Sequence, residues 1–229
     1  MIRTAATAVS VGAWMWLAST LPTDTGPSAV HWGISGVADR FAPRDEALLM
    51  FGLIPGAAIF VALLLSLVPY IEPLRENLLR GRRAYLSAWV GVQAMLALVA
   101  VGVALVTAQS AGVATPNVNL FVRAMIAGAA VMLMFVGDAL PKTRPNFFLG
   151  VRTPWTLTSD LAWERTHRFA GRLLVLVGLW GVIAAFVLNG VALAFALSAP
   201  LIAVALLACV YSYLVWRNDP DRRRPAQEA

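Results

Sequence analysis

The chain has 229 residues, of which 59% are hydrophobic and 13% charged, with a net charge of +6. A soluble domain of this size carries roughly twice that share of charge, so the composition excludes one and points to a membrane protein. The basic excess is nearly all arginine, with Lys142 the only lysine. It reads as a topology signal rather than a nucleic-acid surface, and no direct nucleic-acid binding is expected. Cys209 is the single cysteine, which leaves no disulfide within the chain; it is expected as a buried structural thiol.

The apolar runs are continuous rather than alternating and approach the ~20 residues a helix needs to cross a bilayer, so helices are expected, not a barrel. Residues 4–21 form the first, after Arg3. A cleaved signal peptide is the competing reading, but the length and the internal Trp14 and Trp16 favour a retained helix. Residues 22–45 read as a loop, 46–71 as helix 2 containing Pro55, and 72–83 as a short polar loop with Arg75, Arg80, Arg82 and Arg83. Helix 3 is expected over 84–108, an uncharged turn with Gly112 and Pro116 follows, and helix 4 covers 119–140. Arg123 and Asp138 lie near its two ends, where both can snorkel to the interface.

Residues 141–159 read as a loop, and helix 5 starts near Asp160, with Thr158, Ser159 and Asp160 as N-cap candidates. Asn189-Gly190 breaks the chain before helix 6 at 191–216, with Pro200 in its middle, and a polar tail ends it. Arginines gather in the N-terminus, loop 72–83, loop 141–165 and the tail. The fold class expected is therefore all-α, a polytopic protein of six transmembrane helices with both termini cytoplasmic. No internal repeat supports an inverted-repeat transporter.

Pro145 to Gly171 is the one stretch where Asn, Arg, Thr, Trp and His crowd together. Glu164, His167 and Gly171 share a helical face, and Glu164 precedes Arg168 by four residues, the favourable order for an ion pair. Pro154 disfavours a helical Thr153, so Arg152 is expected in an extended segment ahead of helix 5, within reach of Asp160 or Glu164. Two readings fit this composition. One is an interfacial belt anchored by Trp155 and Trp163; the other is an anion pocket of arginines, threonine hydroxyls and a helix N-terminus.

A second cluster, His31, Trp32, Gly33, Gly36 and Asp39, suggests a hydrogen-bonded histidine buried in a compact turn, with Asp39 and Arg40 as a solvated pair. A metal site would need more ligands, and the topology puts His31 and His167 on opposite sides of the membrane, so no metal and no cofactor are expected.

Two patterns carry a family resemblance. Asn146-x-x-x-Gly150-Val151-Arg152-Thr153-Pro154-Trp155-Thr156-Leu157-x-Ser159, followed by Trp163-x-x-Thr166-His167-Arg168-x-x-Gly171, resembles the signature of the SdpI family. Val30-His31-Trp32-Gly33-x-x-Gly36-x-x-Asp39 is similar to the DUF1648-type module found N-terminal in that family. The resemblance implies one membrane domain, with residues 1–70 as that module and 84–216 as the SdpI-like helices and motif loop. It implies a multi-pass protein of the bacterial cytoplasmic membrane whose function is immunity to a membrane-active peptide toxin, by binding rather than catalysis. Asn146, Arg152, Thr153, Trp155 and Thr156 would then bind the ligand, joined by Glu164, Thr166, His167 and Arg168. Implied partners are the lipid bilayer, a peptide toxin and a cytoplasmic regulator. The alternative is a membrane enzyme or transporter acting on a lipid or other anionic substrate around Arg152 and His167. The chain has no Walker loop, zincin or nucleophile-elbow motif, so no catalytic residue is assigned.

Overall fold

The structure is a computed structural model that describes residues 2–21, 23, 26–33, 37–110 and 118–222. Gly36, Gly112 and Pro116 lie outside the described residues. The elements in order are α1 (Ile2–Thr20), β1 (Ser28–Trp32), β2 (Ala38–Ala42), α2 (Arg44–Ile71), α3 (Arg75–Arg80) and α4 (Arg82–Ser110). Then follow α5 (Asn119–Ala139), a 3-10 turn (Leu140–Lys142), α6 (Pro154–Leu157), α7 (Asp160–Val187), α8 (Gly190–Phe195) and α9 (Ser198–Arg217).

Among the described residues five helical segments are long and apolar enough to cross a membrane: Arg44–Ile71, Arg82–Ser110, Asn119–Lys142, Asp160–Val187 and Gly190–Arg217. Their outer faces carry Leu49, Leu53 and Phe186 at 76%, 73% and 77% exposure, a pattern that suits lipid and not water. α1 forms as expected but is not among the five, because threonines, serines and tryptophans dilute its apolar run.

Three expectations need correction. The fold is helical as expected, but the stretch expected as a loop over 22–45 carries a small hairpin: β1 and β2 pair antiparallel, with Ser28 opposite Ala42 and Trp32 opposite Ala38. The polar loop after α2 contains the short helix α3. The last span is not one helix centred on Pro200; it breaks at Ala196–Leu197, and Pro200 falls in the first turn of α9, where its missing N–H removes no helical hydrogen bond.

The chain gathers into two compact units. The first holds Met1–Leu64, Trp89–Ala129 and Gly181–Ala196. Here α1 runs antiparallel to α2: the Trp14 indole donates to the Leu48 carbonyl at 2.9 Å, and Arg44 donates to Ala18 and Leu21 carbonyls at 2.7 and 3.1 Å. Arg44 thus satisfies carbonyls that the end of α1 leaves open, and its charge suits that helix terminus. Gln93, fully buried, bridges Thr7 and the Ala58 carbonyl. Leu17, Leu21, Val30, Ala42, Ala47, Phe51 and Ala104 form the core beneath the hairpin. Arg123 does more than snorkel: it donates to the Ala185 carbonyl near the end of α7 and to Asn189 Oδ1 at 2.6 Å.

The second unit holds Leu65–Ala88, Ala130–Trp180 and Leu197–Ala229. Its spine is a close crossing of α5 and α7. A Cβ on Gly137 would stand 2.6 Å from the Gly171 carbonyl oxygen, and one on Gly171 would stand 2.5 Å from that of Gly137. Gly178 meets the Ala130 carbonyl in the same way, at 2.5 Å. Small residues at such crossings let helix backbones pack directly, which is how helices associate where lipid removes the hydrophobic drive. Cys209 in α9 is half-buried, less enclosed than expected.

Candidate functional site

The motif segment lies wholly in the second unit, and its shape starts at Asn146, which is 1% exposed. Its Oδ1 accepts from the Phe148 and Leu149 amides at 3.0 and 2.7 Å. Its Nδ2 donates to the Arg144 and Leu149 carbonyls at 2.7 and 3.2 Å. One carboxamide therefore has its donors and its acceptor all engaged and winds residues 144–149 around itself, which a carboxylate, lacking donors, could not do.

The next turn depends on Gly150 and His167. Gly150 has φ +119°, a conformation that side chains rarely adopt. A Cβ there would stand 2.2 Å from His167 Nε2, so only glycine lets the backbone pass the ring. His167 Nε2 accepts from the Val151 amide at 3.0 Å, and Nδ1 donates to the Trp163 carbonyl at 2.7 Å. The Trp163 indole stacks on the imidazole, 4.0 Å between centroids, and its Nε1 donates to the Thr143 carbonyl at 3.3 Å. These roles fix a neutral imidazole with the proton on Nδ1. Trp163 is 2% exposed and so is not the interfacial anchor that the belt reading expects.

The Val151 carbonyl is taken by Thr156 Oγ1 at 2.9 Å, so both polar groups of that peptide are held by side chains. Thr153 is extended, as the following proline requires, and caps the one-turn α6 through a box closed with Thr156. Thr153 Oγ1 also lies 3.0 Å from Ser212 Oγ of α9, and Trp155 packs edge-on against Tyr213, centroids 5.2 Å apart. Ser159 caps α7 by accepting from the Ala162 amide at 2.9 Å, and donates to Asp219 Oδ2 at 2.5 Å. The start of α7 is thus already occupied by a serine and a buried carboxylate of the chain itself.

Of the remaining expected residues, Thr166 is fully buried. Glu164 and Arg168 form the expected surface pair at 2.6 Å. Arg152 is exposed and donates to the Phe147 carbonyl; it does not turn to Asp160 or Glu164. Three contributors outside the motif escape sequence reasoning. Buried Glu72, at the end of α2, accepts from the Phe147 amide at 3.0 Å, and Asn77 of α3 donates to the Pro145 carbonyl at 2.9 Å. Asp219 in the tail is the third. The one signal for Glu72 is its place as a lone acid between an apolar run and Pro73.

The hairpin motif sits in the first unit. His31 Nδ1 lies 2.6 Å from Asp39 Oδ1, and both side chains are exposed, so the histidine is paired but not buried. Arg40 pairs with Glu46 at 2.6 Å and not with Asp39. Among the described residues no group of three or more His, Cys, Asp or Glu side chains is placed to hold a metal ion.

Residues 142–214 match the model of the SdpI/YfhL protein family. The immunity protein SdpI of Bacillus subtilis (strain 168) is 35% identical over 51 residues, which is 22% of this chain and 25% of that protein, so most of the relative's length is not covered. No solved structure matches. The family match takes in the loop from its lysine onward, α6, α7, α8 and most of α9, and leaves the His31 hairpin outside. Residues 142–214, which carry this loop, thus resemble the SdpI/YfhL family, in a chain whose apolar helices mark a multi-pass membrane protein.

Proposed function

We propose that the protein is an immunity-type protein of the bacterial cytoplasmic membrane that protects against a membrane-active peptide by binding it. The observation that carries this reading is the division of labour within the motif loop. Asn146, Thr156 and His167 are buried and use their polar atoms on the loop's own backbone, while Arg152 stands exposed on its surface. A histidine with both nitrogens engaged is not free to shuttle protons, which favours binding over catalysis. The ligand contacts are the Arg152 guanidinium, the Glu164–Arg168 pair and Trp155, flanked by the exposed Phe147 and Phe148, with the buried motif residues as their support.

The same reading has α1 as a sixth span, both termini cytoplasmic and residues 1–70 as the N-terminal module. The segments after α2, before α7 and after α9 meet through Glu72, Asn77 and Asp219, which supports their sharing one side of the membrane. In a Cys209→Ser background, cysteines at the exposed Val37 and Phe148 label from opposite faces; labelling from one face contradicts this topology.

Arg152→Lys tests the binding reading. A planar guanidinium grips a carboxylate with two parallel hydrogen bonds that an ammonium cannot reproduce. The variant is expected to insert and fold normally but to lose most protection per folded molecule, whereas Arg82→Lys, at an exposed position at the start of α4, keeps it. Equal protection by both variants would reduce Arg152 to a topology signal.

A further inference from the structure

The crossing of α5 and α7 leaves an open groove between the two helices, lined among others by Gly137, Asp138, Pro141, Arg172 and Val175. The glycines of the crossing put no side chain into it. At one end, Asp138 pairs with Lys142 at 2.7 Å. Pro141 packs against Gly171, so Arg172 lies level with Asp138 and Lys142, at the end of the Asn119–Lys142 span. A bilayer centred on that span would put these side chains at the depth of lipid headgroups. Val175 and Leu176 follow roughly one helical turn, ~5 Å, further along α7, and Leu176 is exposed.

The charges at this end do not balance. Arg168 is neutralised by Glu164 and Lys142 by Asp138, but exposed Arg172 has no ion-pair partner among the described residues. Arg172, Lys142 and Asp138 together carry a net +1 (two cations and one anion) beside an apolar floor. Basic pockets between transmembrane helices at this depth suit anionic headgroups.

We propose that this groove binds an anionic phospholipid. Its phosphate sits on Arg172 and Lys142, and one acyl chain runs along Gly171, Val175 and Leu176. The groove shares no lining residue with the Arg152 surface, and the proposal does not depend on the immunity reading. Phosphatidylglycerol serves as the probe, with phosphatidylcholine as the neutral-headgroup comparison.

The full chain in neutral detergent is titrated with each lipid and examined by native mass spectrometry. One phosphatidylglycerol is expected to be retained in preference to phosphatidylcholine. Arg172→Gln lowers that retention roughly tenfold by removing the planar cation, while Arg82→Gln leaves it unchanged. Asp138→Asn removes the groove's acid, frees Lys142 and raises retention. Inorganic phosphate does not displace the lipid. Equal retention of the two lipids, an unchanged Arg172→Gln, weaker binding by Asp138→Asn, or displacement by phosphate alone would each overturn the proposal.

Discussion

The chain's two histidines stand in two regions that handle the same side chain in opposite ways. His31 lies on a two-stranded hairpin, exposed, and meets Asp39 across the pair. His167 is 1% exposed, stacked under Trp163, and accepts a backbone amide from the loop it supports. The hairpin histidine makes one exposed contact with a carboxylate, and exposed pairs of this kind typically contribute under about 1 kcal/mol. The buried histidine joins a helix to a turn by accepting the Val151 amide while it donates to the Trp163 carbonyl. Histidine in a motif therefore does not identify a ligand or a proton carrier; what its two nitrogens touch decides its role.

The glycines give the largest contrast. Gly150→Ala forces a side chain into φ +119° and a Cβ to 2.2 Å from His167 Nε2. The loss should exceed about 3 kcal/mol, enough to abolish folded yield in a marginal protein. Gly190, also at positive φ (+53°), has nothing within 4 Å. Gly190→Ala should cost only about 1–2 kcal/mol, the conformational penalty alone. Thermal unfolding in detergent compares the two, and similar midpoints would erase the distinction.

The histidines come next. His167→Ala removes the acceptor for the Val151 amide, the donor to Trp163 and the stacked ring. A cost of about 2–4 kcal/mol is expected. His31→Ala should stay within about 1 kcal/mol. If the hairpin variant were the more damaging, the hairpin and not the motif loop would be the rigid region.

The smallest contrast is between two acid–amide exchanges. Asn146→Asp strips the donors from the Arg144 and Leu149 carbonyls and should cost about 1–3 kcal/mol. Asp39→Asn keeps a polar group beside exposed His31 and should cost a few tenths of a kcal/mol at most, by the usual weakness of exposed pairs. Urea titrations of both variants sharpen the comparison; equal shifts would mean that the Asn146 donors are replaced by water.

Much of this was legible in the sequence because the cues are local. Continuous apolar runs located the spans, Pro154 forced Thr153 to be extended, Ser159 offered a cap, and Glu164 preceded Arg168 by four residues. The hairpin was missed because its bulged register hides the alternation a strand normally shows. The burial of Trp163 was missed because a tryptophan beside arginines looks the same whether it faces lipid or a stacked imidazole. Glu72, Asn77 and Asp219 were invisible for a different reason. Their partners lie between 60 and 75 residues away, and no short pattern encodes such pairing.

The hydrogen bond from the Val151 amide to His167 Nε2 is the most direct test of the motif loop as a self-supporting platform. In protein labelled with ¹⁵N at histidine and valine, a scalar coupling across that bond can be read at neutral pH. The structure predicts a coupling from the Val151 amide to His167 Nε2, with the ring proton on Nδ1. A ring proton found on Nε2, with no coupling to Val151, would contradict it and return His167 to the role of a free functional group.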